Sequence, residues 1–386
     1  MSPSGLLRQL PLYAVAFLGH VGFGLLFPVI PVYAEGFTSS LALIGLAVGM
    51  FSYVAALTMI PFGTLSDRLG RRTILVVGLA MFTVAPLLYT LVANPWQLIL
   101  VRAFHGLASA SFIPPANALV VEMSPPERRG EALGWFTSAV MVGFIVGPVT
   151  GGYLLNLYGF GSTFYASSAV SLVALLLILP WLRGMGGKTA ATVEASDSPW
   201  GWLRQRRAIG ALLTVLFTVF GSGTIVAFMP LHGAGIGVTA SQVGIVITAM
   251  YASSTVVRGP GGIMSDRMGR GMVILFGFLV CAASIALFAL VSSFPLLVVV
   301  GIAYGLGMGL AMTASFALVA DVASLSARGL AMGAANSSLQ AGLAIGATAM
   351  GGVAAAVGFQ SMFAICGAIL AAALLAVLFL VGRGSK

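Results

Sequence analysis

Long apolar stretches alternate with short polar ones along this chain, and the apolar stretches are continuous rather than alternating residue by residue. A bilayer core about 30 Å thick asks for roughly 20 mostly apolar residues per helical crossing. Read in such windows, the sequence predicts twelve spans, at about 10–33, 41–63, 73–92, 96–121, 132–155, 162–182, 208–231, 240–263, 272–292, 295–320, 329–352 and 359–382. A membrane β-barrel would show strand-sized segments of alternating polarity instead. Runs such as Ser171 to Leu182 do not alternate. Only a helix satisfies its backbone hydrogen bonds within one span, so the predicted fold is an all-α integral membrane protein.

The polar punctuation repeats. Shifted by 199 residues, Asp67-Arg68-Leu69-Gly70-Arg71 falls on Asp266-Arg267-Met268-Gly269-Arg270, and Glu122 falls on Asp321. In the same register Arg129-Gly130 meets Arg328-Gly329, and Gly134, Gly143 and Gly147 meet Gly333, Gly342 and Gly346. Internal repeats of this size mark structural duplication. Parallel six-helix repeats are a known transporter architecture, with the substrate bound at mid-depth between them. The expected organisation is therefore two pseudo-symmetric six-helix bundles, 1–182 and 208–386. They are joined by a polar cytoplasmic linker, 183–207, whose Trp200 and Trp202 are expected at the membrane interface.

Composition agrees with the pattern. Of 386 residues, 59% are hydrophobic and 7% charged, and mean hydropathy is +1.08; soluble domains carry about 25% charged residues. The net charge of +9 would suit nucleic-acid binding if the basic residues formed one patch. They are dispersed instead. Arg102 and Arg258 fall inside spans, and the other 16 of the 18 Lys and Arg lie at the termini and in alternate connections, while the six opposite loops contain none. Under the positive-inside rule both termini are cytoplasmic, in a bacterial-type inner membrane. Cys281 and Cys366 both fall within spans, so no stapling disulfide is expected.

Particular motifs resemble those of the major facilitator superfamily, over the whole chain. Gly63-Thr64-Leu65-Ser66-Asp67-Arg68-Leu69-Gly70-Arg71-Arg72-Thr73-Ile74-Leu75 resembles that family's loop between helices two and three. Leu98 to Gly106, around Arg102, is similar to its fourth-helix motif, with His105 in place of the usual glutamine. Gly143-Phe144-Ile145-Val146-Gly147-Pro148-Val149-Thr150-Gly151-Gly152 resembles the fifth-helix motif of antiporters, and Leu18-Gly19 through Pro31 that of the first helix in the drug and proton antiporter branch. The resemblance implies the major facilitator fold, alternating access and a monomer. It also implies that Asp67 faces the start of the eleventh helix and holds a cytoplasmic gate shut. The second half departs at Gly301, where Arg102 would repeat, and at Ala347, where Pro148 would. That points to coupling machinery in the first half.

Arg68 and Arg71 are placed to bridge to Glu122, with Asp266, Arg267, Arg270 and Asp321 as the matching set. A mid-helix charge costs about 2.5–3.5 kcal/mol even on the lenient insertion scale, so Arg102 is a candidate for coupling or substrate binding. Bonding to first-helix carbonyls is its structural alternative. His20 titrates near neutrality and is a candidate proton carrier. His105 shares a helix face with Arg102. Gly143, Gly147, Gly151 and Gly152 permit close helix approach and Pro148 bends the helix, a combination suited to sealing a cavity. Phe23, Phe27, Tyr53, Asn117, Tyr251, Tyr304, Asn336 and Gln340 are candidate cavity-lining residues.

No Walker-type phosphate loop, nucleophile elbow or metal-ligand cluster is present in the sequence, so neither an enzyme nor a cofactor is expected. The leading expectation is proton-coupled efflux of small amphipathic or hydrophobic compounds. The alternatives are import, exchange or facilitated movement of a small organic anion, and lipid transport on the same fold.

Overall fold

A computed structural model describes residues 3–125, 128–183, 201–324 and 327–381. The elements are α1 (Pro3–Gly24), α2 (Ile30–Glu35), α3 (Leu41–Leu69), α4 (Arg71–Tyr89), α5 (Pro95–Glu122), α6 (Arg129–Arg183), α7 (Arg206–Gly235), α8 (Ala240–Met268), α9 (Arg270–Leu287), α10 (Phe294–Val322) and α11 (Arg328–Val381). Among the described residues nine helices are long and apolar enough to cross a membrane. The twelve expected spans are carried by fewer continuous helices, for local reasons.

Loops had been expected near 156–161 and 353–358, but α6 and α11 run through both. Each is divided only by a single non-helical glycine, Gly159 at φ 78° and Gly358 at φ 78°. Positive φ is costly for any residue bearing a Cβ, and the two glycines stand in the 199-residue register. The expected first span breaks differently. Pro28 has no N–H to donate and clashes with a continuing helix. The chain therefore tightens through i→i−3 bonds, Leu26 N to Phe23 O and Phe27 N to Gly24 O, each 3.1 Å, before α2 resumes.

The register reaches the element bounds. Leu41–Leu69 maps onto Ala240–Met268, and Gly70 at φ 94° onto Gly269 at φ 88°, each making the abrupt turn between two helices.

Two compact units result. The first comprises 1–38, 53–191 and 239–248; the second comprises 39–52, 192–238 and 249–386. Sequence order alone would have kept α3 with the first half and α8 with the second. Close glycine contacts explain the exchange. A Cβ on Gly45 or Gly49 would meet the backbone of Ala347 or Ala344 of α11, and one on Gly244 that of Pro148 of α6. The expected linker lies largely outside the described residues, as do Lys188, Trp200, Arg383 and Lys386. Its end forms a 3-10 turn over Gly201–Arg204, within which Trp202 is buried.

Within the first unit α1 packs on α6, and within the second α7 packs on α11. Both crossings are lined by glycine. Gly143 lies against the Phe17 carbonyl and His20 Cβ, Gly147 against Gly24, and Gly151 against the Leu25 backbone. In the second unit Gly342 meets Leu216 and Gly346 meets Phe220. Lipid gives two apolar helices no hydrophobic reason to associate, so close van der Waals approach must do it. Overpacking such a contact costs about 1–3 kcal/mol. Gly147→Leu and Gly346→Leu are each expected to lower the thermal unfolding midpoint of the detergent-solubilised protein by several degrees. Gly134→Leu and Gly333→Leu, where nothing lies within 4 Å, should leave it nearly unchanged. Equal midpoints for the two pairs would contradict this packing.

Candidate functional site

At one end of the first unit, α3 stops at Leu69, Gly70 reverses the chain and α4 starts with Arg71. That turn sets Asp67 and Arg71 side by side. Arg71 Nη2 lies 3.2 Å from Asp67 Oδ1 and Nη1 lies 3.0 Å from Glu122 Oε1, at the end of α5. The second unit builds the same clasp. Arg270 pairs with Asp266, its Nε is 3.1 Å from Asp321 Oδ2, and its Nη1 donates to Ser265 Oγ at 3.0 Å.

Arg68 and Arg267, expected to share these roles, are exposed. One residue of helix turns the side chain by about 100°, which carries them off the face shared by Asp67 and Glu122, or by Asp266 and Asp321. The bridging therefore belongs to Arg71 and Arg270. Nearby helix ends are held by further cations. Arg72 Nη1 donates to Leu182 O at 3.1 Å, and Arg328 Nε to Ala320 O at 3.2 Å. Partly exposed pairs of this kind are worth roughly 0–1 kcal/mol each. That is too little to hold a fold and enough to bias an equilibrium between two arrangements.

Arg102 and His105 lie one turn apart on α5, and both are buried. Tyr89, at the end of α4 and wholly buried, joins them. Its hydroxyl lies within hydrogen-bonding reach of Arg102 and 3.1 Å from His105 Nδ1. A guanidinium only donates, so the phenol oxygen accepts from Arg102, and the same hydroxyl shares a hydrogen bond with His105 Nδ1. Phe82 and Phe23 stand edge-on to the imidazole at 5.0 and 5.8 Å. Tyr89 was not singled out from the sequence, where one more tyrosine in an apolar span carries no signal, and its counterpart in the register is Phe288.

His20 lies in α1 over the glycine run of α6. Its Nδ1 sits 2.7 Å from Ala16 O. A carbonyl can only accept, so Nδ1 carries the hydrogen and Nε2 holds the lone pair. Its ring meets Phe144 edge-on at 5.0 Å and Phe112 at 6.1 Å. Phe27 stacks on Phe144 at 5.7 Å, and Phe23 approaches Phe144 at 6.2 Å. A chain of ring contacts, His20 to Phe144 to Phe23 to His105, thus links the two histidines inside one unit.

Beyond Gly147 and Pro148, α6 receives the first turns of α8. Gly152 lies against Ala240 and Ser241, Ser241 Oγ donates to Gly152 O at 3.2 Å, and Thr248 Oγ1 donates to Ile145 O at 2.7 Å. The motif is thus packed on both α1 and the start of α8.

The remaining candidates separate by burial. Tyr53, Asn117 and Tyr251 are half-buried, Asn336 is exposed with Nδ2 donating to Met332 O, and Gln340 is buried. Tyr304 was expected to line a cavity, but it is fully buried within the second unit and donates to Thr218 O. Its position corresponds to that of His105 in the 199-residue register. Another buried polar set escaped the sequence reading. Gln9 Nε2 donates to Ser124 Oγ at 2.9 Å, and Tyr13 donates to Gln9 Oε1.

Removing a buried hydroxyl that serves two partners costs about 1–3 kcal/mol. Tyr89→Phe is therefore expected to lower the thermal unfolding midpoint by several degrees, whereas Tyr153→Phe, on an exposed side chain, should not. A Tyr89→Phe midpoint matching wild type would show that the three groups do not act together.

The profile described as Major Facilitator Superfamily matches residues 12–236 and 211–386. An uncharacterized MFS-type transporter of Methanocaldococcus jannaschii is 26% identical over 363 residues, 91% of this chain and 92% of its own length. Multidrug resistance protein MdtG of Proteus mirabilis is 28% identical over 275 residues, 67% of each chain. A crystal structure of a bacterial homologue of the human lysosomal transporter Spinster superposes with a TM-score of 0.78 at 18% identity, covering 99% of this chain and 96% of that one.

Proposed function

The chain belongs to the major facilitator superfamily, as a multi-pass membrane transporter of small molecules, and on that premise we propose that it exports amphipathic or hydrophobic compounds in exchange for protons by alternating access. The observation that carries this reading is the α6 motif, Gly143 to Gly152, packed along α1 directly beneath His20. A protonatable ring and a bendable, glycine-lined helix are thus in contact. The similarity to a multidrug resistance protein supports the substrate class.

In the proposed cycle His20 Nε2 takes up the proton. The ring is fenced by Phe144 and Phe112, so adding charge there favours an arrangement in which the imidazolium gains water or an anion. Arg71 and Arg270 are the clasps that a conformational change must loosen, and Asp67 is the gating carboxylate. The arginine-bearing loops are assigned to the cytoplasmic side of a bacterial-type inner membrane, with both termini on that side, by the 16-to-0 split of basic residues. The polypeptide is proposed to act as a monomer, with the sequence halves 1–182 and 208–386 as its functional domains.

A second reading, exchange or uptake of a small organic anion, draws on the buried cation of Arg102. Everted membrane vesicles separate the two. The proton-exchange reading expects a lipophilic cationic dye to accumulate inside when the interior is acidified, and to leave when the gradient is collapsed. Dye movement indifferent to the gradient, together with counterflow of labelled organic anions, would favour the second reading.

His20→Ala is expected to lose gradient-driven accumulation while keeping substrate exchange at equal pH; unchanged gradient dependence removes His20 from the mechanism. Asp67→Asn is expected to slow transport at normal membrane abundance, and wild-type rates would remove Asp67 from the gate.

A further inference from the structure

A four-ring cluster occurs in both units at the end opposite the arginine clasps, with one chemical difference. In the first unit Tyr33 lies 5.1 Å from Phe160 and 5.0 Å from Phe164, and Tyr89 lies 5.3 Å from Phe164. In the 199-residue register these become His232, Phe359, Phe363 and Phe288. His232 lies 6.0 Å from Phe359 and 5.6 Å from Phe363, and Phe288 lies 5.7 Å from Phe363. The phenol of Tyr33 is satisfied, donating to Tyr89 O at 2.7 Å. The imidazole of His232 is 5% exposed, and its Nε2 is sealed from solvent with no hydrogen-bond partner. A neutral, permanently bonded group has been replaced by a titratable one in an apolar socket.

The position of this socket gives it leverage. Three residues beyond His232, α7 ends in a tight hydrogen-bonded turn, with Ile236 N bonded to Gly233 O at 3.0 Å and Val238 N to Gly233 O at 2.8 Å. Thr239 then opens α8 with a capping box. Thr239 N donates to Gln242 Oε1 at 2.9 Å, and Gln242 N to Thr239 Oγ1 at 3.3 Å. Between Val238 and Thr239 the chain passes from the second compact unit to the first, and no slack residue separates the two caps. Displacing the end of α7 therefore displaces the turns of α8 that seat on Gly152 and Pro148 of α6.

We propose that His232 is a proton-sensitive pin for this turn, through which acid on the face opposite the arginine clasps loosens the seating of α8 on α6. A proton taken up from water on that face makes both ring nitrogens N–H donors. Nε2 would then be a charged donor without an acceptor, and burying such a group is costly. Neighbouring side chains offer no remedy. The titratable groups on the elements packed against α7 are Cys281 of α9, Tyr304 of α10 and Cys366 of α11, with Arg270, Asp321 and Arg328 at the clasp ends of those helices and Arg204 in the 3-10 turn; no Asp, Glu, Lys or Arg occurs in 208–235, 271–320, 330–357 or 359–381. Protonation is thus favoured only where His232 reaches water, and acid shifts the turn toward that arrangement. The Tyr33 turn, 36–40, has no such group and supplies an internal control.

The proposal depends on neither the transport direction nor the substrate argued above. Its test is amide hydrogen exchange on the whole purified protein, corrected for intrinsic exchange rates. If only the loosened turn binds the proton, with an ordinary histidine pKa near 6.5, opening of residues 232–243 should rise by about tenfold between about pH 8 and about pH 5.5. Residues 33–44 should not change. His232→Tyr, which installs the residue used in the first unit, and His232→Phe should each abolish the rise while leaving exchange in the middle of α7 unaltered. No rise in the wild-type segment, an equal rise in both turns, or a rise that survives in a folded variant would overturn the proposal. Should either variant fail to fold, the wild-type contrast between the two turns still decides.

Discussion

The close approach of α1 to α6, and of α7 to α11, is the interaction on which everything else in this protein rests. Helices already dissolved in hydrocarbon gain little by hiding apolar surface from one another, so contact has to come from shape. Gly143, Gly147 and Gly151 let the α1 backbone lie directly against α6, and Gly342 and Gly346 do the same for α7 on α11. His20 is held over Gly143 only because that glycine has no side chain. A leucine anywhere along the seam would separate the titratable ring from the helix it is proposed to act upon.

Charge is used sparingly and at the helix ends. With 7% charged residues, the chain places its ion pairs where water still screens them, around Arg71 and Arg270. Each pair is worth roughly 0–1 kcal/mol, far below what a helix crossing contributes. Such weakness would suit the proposed opening of the clasps, since a pair worth several kcal/mol would trap one state. The deep polar groups are treated differently. Arg102, Tyr89 and His105 are buried, and the Tyr89 hydroxyl joins the other two.

Much of the fold was legible in the sequence because lipid imposes simple rules. Apolar windows gave an all-helical membrane protein, and the 199-residue register anticipated the matching ends of α3 and α8. It also extends to Gly159 and Gly358, which were not read as kinks because a one-residue break leaves the apolar pattern intact. Side-chain direction was harder. Arg68 and Arg71 are equivalent as letters, and only the helix phase decides that Arg71 holds Glu122. Tyr304 looked like a cavity residue by type and span, yet it is fully buried and its hydroxyl is bonded to Thr218 O. Tyr89 could not be found at all, because its importance comes from two partners on another helix. The exchange of 39–52 and 239–248 between compact units likewise depends on tertiary contacts that a linear pattern does not encode.

Transport is proposed to turn on an arginine clasp in each half, and non-additivity between the paired side chains is the sharpest check on that role. Transport rates would be measured in proteoliposomes for Arg71→Gln, Glu122→Gln and the double variant, and likewise for Arg270→Gln, Asp321→Asn and their combination. A working clasp requires that each single change slow transport and that each double variant be no slower than its slower single. Single changes without effect, or losses that multiply in the double variants, would contradict it.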